Sequence, residues 1–300
     1  MTGDFGLVAP EEADAPGDEW EEIDYADTEA DRIARKRDRE FSEFRERIKD
    51  AEQFKVSESV FDDATYGALY KLVQDGYIDA FGGPISTGKE ANVYTALGGE
   101  QASVELDADP EERHEVAVKI YRINASDFRE MGDYLEGDPR FETLGHDKKS
   151  IVMAWVRKEF ANLRRARKAG VRVPVPIAVE RNVLVMEYIG TDTGRAKRLG
   201  EVHIENPETA YEVVREYMCR LYDAGLVHGD LSEYNIVVED SQLYIIDLGQ
   251  AMTVHHPNHE DFLERDCENV ANFFARQGVD TDGDQLLAYV HDHGDPENGE

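Results

Sequence analysis

The chain of 300 residues is 41% apolar, enough for a sizeable core in one bilobal domain or two ordinary ones. Its 65 acids against 33 bases give a formal charge of −32, which argues against generic, charge-driven nucleic-acid binding and, being tolerable where about 1 M salt shortens the Debye length to roughly 3 Å, points to a salt-loving host. No stretch approaches the roughly 18 uninterrupted apolar residues of a membrane span, and the acidic N-terminus lacks the basic start and apolar run of a signal peptide, so a cytoplasmic protein with no membrane partner is expected.

Residues 1–30 hold eleven acids and no bases, with too few apolar residues to bury a core, which predicts a disordered tail. From Thr28, whose pairing with Asp31 resembles a capping box, Ile33, Phe41, Phe44 and Ile48 recur at helical spacing, so a long exposed helix is expected to end before Val56. A second helix is expected from about Phe61 to Gln74, with Leu69, Tyr70 and Val73 on one face and Gly76 as its stop. After Gly82 the pattern turns to strands, at Val93 to Thr95 and Val116 to Tyr121, with the acidic stretch from Gly98 to Arg113 as a long hairpin connection. Residues 122–147 show no periodicity and predict a mobile insertion. A helix follows from about Lys149 to Ala169, with Ile151, Trp155, Ala161 and Leu163 inward and Gly170 ending it.

Val183 to Tyr188 predicts a buried strand, and Asn206-Pro207 opens a helix that Gly225 closes. Two short strands, Ile236 to Val238 and Leu243 to Ile246, precede helices over Glu260 to Arg276 and Asp284 to His291. Cys219 and Cys267 fall inside helical patterns far apart in sequence, which argues against a disulfide framework or a four-ligand zinc site and makes both core thiols. The divisions expected are the tail (1–30), N-terminal helices (31–80), a β-rich lobe (81–186), a helix-rich lobe hinged to it around residue 187 (187–292) and a terminal tail (293–300).

The run from Gly83 to Glu90 nearly matches a P-loop but fails at the last position, and it continues into a strand where a P-loop must open a helix. It is read instead as a strand, a phosphate-covering loop and a strand, in which Gly88 lets the backbone approach phosphate while Ser86, Thr87 and Lys89 donate to it; a plain β-turn is the alternative. Lys119 ends Val116-Ala117-Val118-Lys119, the strand context in which kinases place the lysine that grips α- and β-phosphates, and Glu159 sits mid-helix where a carboxylate can orient that lysine. His228 to Asn235 spaces Asp230 and Asn235 five apart, as in a kinase catalytic loop; Asp247 follows twelve residues later, in the place of the Asp of Asp-Phe-Gly. Asp230 is expected to take the acceptor's proton, Asn235 and Asp247 to hold Mg²⁺, and His228 to pack beneath the loop. The Asp280 to Asp284 run has the wrong glycine position for a calcium loop, and His255, His256, His259, His291 and His293 are expected to be solvated rather than metal-bound.

Together, Ser86 to Tyr94, the Glu159 helix, Met186 to Gly190, His228 to Asn235 and Ile246-Asp247 resemble the RIO family of atypical serine/threonine kinases. Val60 to Ile78 resembles its type 1 branch, and with the charge this suggests a halophilic archaeon. The resemblance spans about residues 56 to 278. It implies an α+β, bilobal, protein-kinase-like fold with a small β-rich N-lobe, a reduced helical C-lobe and extra N-terminal helices. It implies ATP with Mg²⁺, Mn²⁺ being a second candidate, held by Ser86, Lys89, Lys119 and the backbones at Met186, Glu187 and Ile189. It also implies Asp230 as proton acceptor, Asn235 and Asp247 as metal ligands, and transient phosphorylation of Asp247 in an ATPase switch. Leu248 stands where type 1 members carry a small polar residue, which puts the local loop shape in question. No Ala-Pro-Glu follows Asp247, which puts peptide substrates in doubt. Family members act in small ribosomal subunit maturation, and Arg157, Lys158, Arg164, Arg165, Arg167, Lys168 and Arg172 offer a contact face, or else offset a helix dipole. The competing readings are a small-molecule phosphotransferase of the aminoglycoside-kinase type and a non-catalytic ATP-binding scaffold.

Overall fold

A computed structural model describes residues 39–40, 42–43, 61–109, 111–112, 114–123, 131, 147–191 and 194–296. The chain divides into two units, Met1–Ser42 and Glu43–Glu300; residues 39, 40 and 42 of the first are helical. The tail expected over 1–30, the Thr28–Asp31 capping box, most of the first helix and nearly all of the insertion near 122–147 lie outside the described residues. Within that insertion Met131 is described, and it is buried in the core.

The second unit opens with α1 (Asp63–Gln74), whose Asp62 cap accepts from the Thr65 N–H at 2.7 Å. Its buried face carries Tyr66, Leu69 and Leu72, while Tyr70 and Val73 are only half-buried. The face is turned from the one expected because α1 lies against β1, β4 and β5, and it buries Ala68, Leu69 and Leu72.

Those strands belong to a five-stranded antiparallel sheet in the order β1-β2-β3-β5-β4: β1 (Ile78–Thr87), β2 (Ala91–Gly98), β3 (Glu115–Tyr121), β4 (Pro176–Glu180) and β5 (Val183–Glu187). Pro84 falls where β1 loses register with β2, as a residue without an N–H must. Between β2 and β3 lies not a bare connection but a short helix, α2 (Glu100–Glu105), which buries Ala102 and Ser103. Six residues are too few for periodicity to reveal it. Alternation along β3 puts Val116, Val118 and Ile120 into the sheet's core and Ala117, Lys119 and Tyr121 on the opposite face.

Helix α3 (Lys148–Lys168) begins at Asp147, which accepts from the Ser150 N–H at 3.0 Å, and ends before Gly170 at φ +78°. Of its expected inward residues Trp155 and Leu163 are buried, but Ile151 and Ala161 are half-exposed. The inward stripe runs instead through Val152, Trp155, Lys158, Glu159, Asn162 and Ala166. Three polar residues in that stripe are explained by what they meet below.

Beyond β5, two-residue strands β6 (Gly190–Thr191) and β7 (Gly194–Arg195) pair with each other, and β8 (Lys197–Arg198) joins the later hairpin. Helix α4 (Pro207–Asp223) starts with proline in its first turn, although the Asn206 side chain makes no capping bond. Then come β9 (Leu226–Val227), the hairpin β10 (Ile236–Glu239) and β11 (Gln242–Ile245), β12 (Met252–Thr253) paired with β9, α5 (His259–Arg276) and α6 (Gly283–His293). Val214 and Met218 of α4, Leu263, Val270 and Phe274 of α5, and Leu286 and Val290 of α6 share one core.

Cys219 and Cys267 are free and buried in that core, and burial pushes the Cys219 thiol up to about 11. The Asp280 to Asp284 pattern has a local cause, since Asp282 caps α6 by accepting from the Gln285 N–H at 2.8 Å. His256, expected in solvent, is buried instead, with its Nδ1 accepting from the Asn258 N–H at 3.2 Å. Among the described residues no helix is long and apolar enough to cross a membrane.

Candidate active site

Lys119 lies on the central strand β3, paired with Val93 on one side and Leu184 on the other, so its position is fixed by two ladders. Its side chain is 9% exposed, and its Nζ stands 2.7 Å from Glu159 Oε1 and 2.8 Å from Asp247 Oδ1. Glu159, 1% exposed, also accepts from the Tyr121 hydroxyl through Oε2. Burial works against the Lys119 ammonium, but Asp247 and Glu159 outweigh it and hold its pKa well above the usual lysine value. Burial pushes Glu159 upward, with Lys119 opposing, while Lys119 chiefly holds Asp247 below the usual carboxylate range. Asp247 stays open to the cavity, with 55% of its side chain exposed.

The segment from His228 to Asn235 is built from beneath. His228 is buried, its Nδ1 accepts from the Asp230 N–H at 3.3 Å, and its Nε2 lies 3.1 Å from the Ile246 carbonyl, which assigns the ring proton to Nε2. Gly229 takes φ +79°, where a Cβ would come within 3.1 Å of Met252. Its N–H and that of Leu231 both donate at 2.7 Å to the two oxygens of Asp266 on α5, and Arg265 donates to the Gly229 carbonyl. Burial pushes the Asp266 carboxyl up to about 6. Asn235 donates to the Asp230 carbonyl at 2.7 Å and to its carboxylate at 3.1 Å, which ties the two side chains together.

These groups border a cavity of about 480 Å³, a size that suits a nucleotide-scale ligand. Ser86, Gly88 and Lys89 line it from the β1–β2 hairpin, Lys119 from β3, Met186, Glu187 and Ile189 from the link between lobes, and Asp230, Asn235 and Asp247 from below. Thr87 is not among its lining, and Glu159 sits behind Lys119. The Gly88 N–H is engaged by the Ala91 carbonyl at 2.9 Å, closing the hairpin turn. Glu187 directs its N–H to the Val175 carbonyl at 2.8 Å, and the Ile189 carbonyl accepts from the Ala196 N–H at 3.0 Å. Arg195 and Arg198 also line the cavity, and Arg195 is paired with Glu201.

Sequence reasoning misassigned Lys158, which is fully buried rather than part of a contact face. It passed over Asp266, Asn162 and Tyr121. The signal available for the first two is a polar residue inside a helix's apolar stripe: Asp266 between Leu263 and Val270, Asn162 between Trp155 and Ala166.

The RIO domain family model matches residues 92–286. The chain is 68% identical to the RIO-type serine/threonine-protein kinase Rio1 of Haloferax volcanii, a halophilic archaeon, over the whole of both chains. It is 37% identical to Rio1 of Methanocaldococcus jannaschii, covering 80% of this chain and 78% of that one. Among solved structures it is similar to the Rio2 kinase ADP/Mg²⁺-phosphoaspartate complex from Chaetomium thermophilum, with a TM-score of 0.57 at 22% identity, covering 78% of this chain and 69% of that chain.

Proposed function

The chain belongs to the RIO kinase family, and from that membership we propose that it uses ATP to phosphorylate serine or threonine, or to cycle as an ATPase. The observation that carries this reading is the convergence of Glu159 and Asp247 on Lys119 Nζ, at 2.7 and 2.8 Å, at the edge of a nucleotide-sized cavity that Asp230 and Asn235 also border. Lys119 grips the α- and β-phosphates, oriented by Glu159, and Ser86 and Lys89 donate to phosphate oxygens. The Glu187 and Ile189 backbones receive adenine beside Met186. Asp230 accepts the proton of the attacking hydroxyl, and Asn235 keeps its carboxylate in place.

The Asp247 carboxylate and the Asn235 amide oxygen are hard donors that fit Mg²⁺ completed by phosphate, and Mn²⁺ as well. A bound divalent cation supplies neutralisation of charge on the transferring phosphoryl group. On ligand binding Asp247 exchanges part of its bond to Lys119 for that role. In this reading the same carboxylate attacks the γ-phosphorus, releasing ADP and leaving an aspartyl phosphate that water cleaves.

The partner in this reading is a precursor of the small ribosomal subunit, met by the exposed Arg157, Arg164, Arg167, Lys168 and Arg172, with Arg165 half-exposed beside them and Lys158 excluded. The compartment is the cytoplasm. A small-molecule phosphotransferase and a scaffold without turnover are the outcomes that would displace it.

The test is incubation in molar KCl with Mg²⁺ and γ-labelled ATP, following phosphate release and label retained on the protein. Asp230→Ala is expected to lose about 10²- to 10⁴-fold in turnover with nucleotide affinity kept. Asp247→Ala is expected to lose metal-dependent nucleotide binding. Hydroxylamine-labile label on the wild type indicates aspartyl phosphate, and acid-stable label indicates serine or threonine. Unchanged turnover in both variants overturns the site, and tight ATP binding without turnover favours the scaffold.

A further inference from the structure

Helix α3 does more than carry Glu159. Trp155, Lys158, Glu159 and Asn162 lie three and four residues apart, on the face that meets the loop after Asp247. Lys158 is fully buried, with its Nζ 3.0 Å from the Gly249 carbonyl, 3.5 Å from the Gln250 carbonyl and 4.7 Å from the centre of the Trp155 ring. Asn162, also fully buried, donates to the Leu248 carbonyl at 3.2 Å and the Ala251 carbonyl at 2.8 Å. Two side chains of one helix thus hold four consecutive carbonyls.

The loop they hold is not relaxed on its own account. Asp247 sits at φ +64°, in the left-handed region that non-glycine residues disfavour. Gly249 passes so close to the helix that a Cβ there would come within 3.0 Å of Trp155 Nε1 and 3.2 Å of the Tyr121 hydroxyl. Leu248 and Ala251 are fully buried on either side, which gives the apolar residue at 248 its role as an anchor. Placing an ammonium where water cannot reach it is among the most costly arrangements a core can adopt, so Lys158 has a purpose other than cohesion.

We propose that Lys158 and Asn162 are positioning residues that clamp the Asp247 loop to α3, so that the lysine–glutamate pair and the metal-binding carboxylate are set in place together. The proposal rests on the metal role given to Asp247 above. The helix and the loop are one body, always assembled, and the enzyme needs no activation segment to bring them together. Regulation that swings α3 away from the cleft is excluded by this arrangement, because the metal loop would go with it.

The test uses the full chain with Lys158→Met and Asn162→Leu, each close in volume to the residue removed. ADP affinity is measured calorimetrically with and without Mg²⁺, beside the melting temperature. Partners that orient metal ligands from behind typically contribute about 10- to 100-fold in metal affinity, so the Mg²⁺-dependent part of ADP binding should fall by that factor while metal-free affinity holds. Unchanged Mg²⁺ dependence in both folded variants overturns the clamp. So does a fall of both affinities in step with the melting temperature, which marks packing alone. A wild type whose ADP affinity ignores Mg²⁺ fails the metal site itself, a result distinct from either.

Should neither variant fold, hydrogen exchange on the wild type decides. One body requires the amides of 248–251 to open together with the second half of α3. A loop that exchanges freely while α3 stays protected refutes it.

Discussion

Lys119 is shared: its Nζ lies 2.8 Å from Asp247 Oδ1 and 2.7 Å from Glu159 Oε1, so one ammonium joins the strand, the helix and the metal loop. Removing it leaves Glu159, 1% exposed, as a buried carboxylate that has lost its cationic partner and keeps the Tyr121 hydroxyl. Lys119→Met should therefore lose nucleotide turnover and also about 3–5 kcal/mol of stability, the usual result of breaking a buried pair from one side. The loss has a pH sign. Burial raises the Glu159 pKa above its unfolded value of 4.5, so stability should recover on acidification as the carboxyl takes its proton, and decline as pH rises through the folded value. The double variant Lys119→Met with Glu159→Gln should regain stability without regaining turnover. Denaturant unfolding at several pH values measures this; a single variant as stable as wild type at neutral pH contradicts it.

Asp266 offers a second pH dependence with opposite signs for stability and activity. Its ionised carboxyl accepts from both Gly229 and Leu231, the residues flanking Asp230. Burial raises it to about 6 against an unfolded 3.8, so the folded state binds the proton more tightly and this group's contribution to stability grows as pH falls from 6 toward 3.8. Turnover should fall over the same window, because a protonated carboxyl turns an O–H toward one of the two N–H groups. Asp266→Asn should show turnover lowered on the order of 10²-fold and no limb near that pH, the size expected when a catalytic group is misplaced by about 1 Å. A limb that persists in the amide variant belongs to another group.

How much of this was legible in the sequence follows from how each residue signals itself. Asp230, Asn235 and Asp247 announce themselves by spacing around a hairpin, and Lys119 by the β-branched run before it, because strand geometry fixes where each side chain points. Lys158 misled because a lysine in a run of cations reads as solvated, and only the packed loop behind it reveals that the side chain faces inward. The face of α1 was misjudged in part for a related reason: Leu69 is buried as expected, but Val73 is as apolar as Leu72, and the choice between them is made by a sheet formed from strands far along the chain. Asp266 depends on a contact 37 residues away in sequence, which no local pattern encodes.

Asn182 supplies a test of how α1 is held. Fully buried in the turn between β4 and β5, it donates to the Thr65 hydroxyl at 2.9 Å and the Tyr121 carbonyl at 2.8 Å, joining α1 to β3. Asn182→Ala should cost about 1–3 kcal/mol, since it leaves a buried carbonyl without its donor. The nearby pair of Lys71 with Glu180 joins α1 to β4 at 2.7 Å but is solvent-exposed on the lysine side, so Lys71→Ala should leave the melting temperature unmoved. Equal effects of the two substitutions would contradict the assignment of the join to Asn182.

The outward arc of α3 carries Arg157, Arg164 and Lys168 at spacings of seven and four, with Arg167 beside them, all exposed and none within ion-pair distance of an acid among the described residues. In a chain of net charge −32 such a stripe is, in the reading proposed above, the face that meets an RNA backbone. If each cation neutralises one phosphate, Arg164→Glu with Lys168→Glu should lower the slope of log affinity against log salt by about 1.4 to 1.8, taking roughly 0.7 to 0.9 per contact. The measurement is binding of a ribosomal RNA fragment across a KCl series, with ATP turnover in the absence of RNA as the control, which should not change because neither side chain lines the cavity. Cations near a helix C-terminus also offset the helix dipole. That role predicts a different result, a lower melting temperature in the double variant with RNA affinity and salt slope both unchanged, and it would return this face of α3 to a purely structural duty.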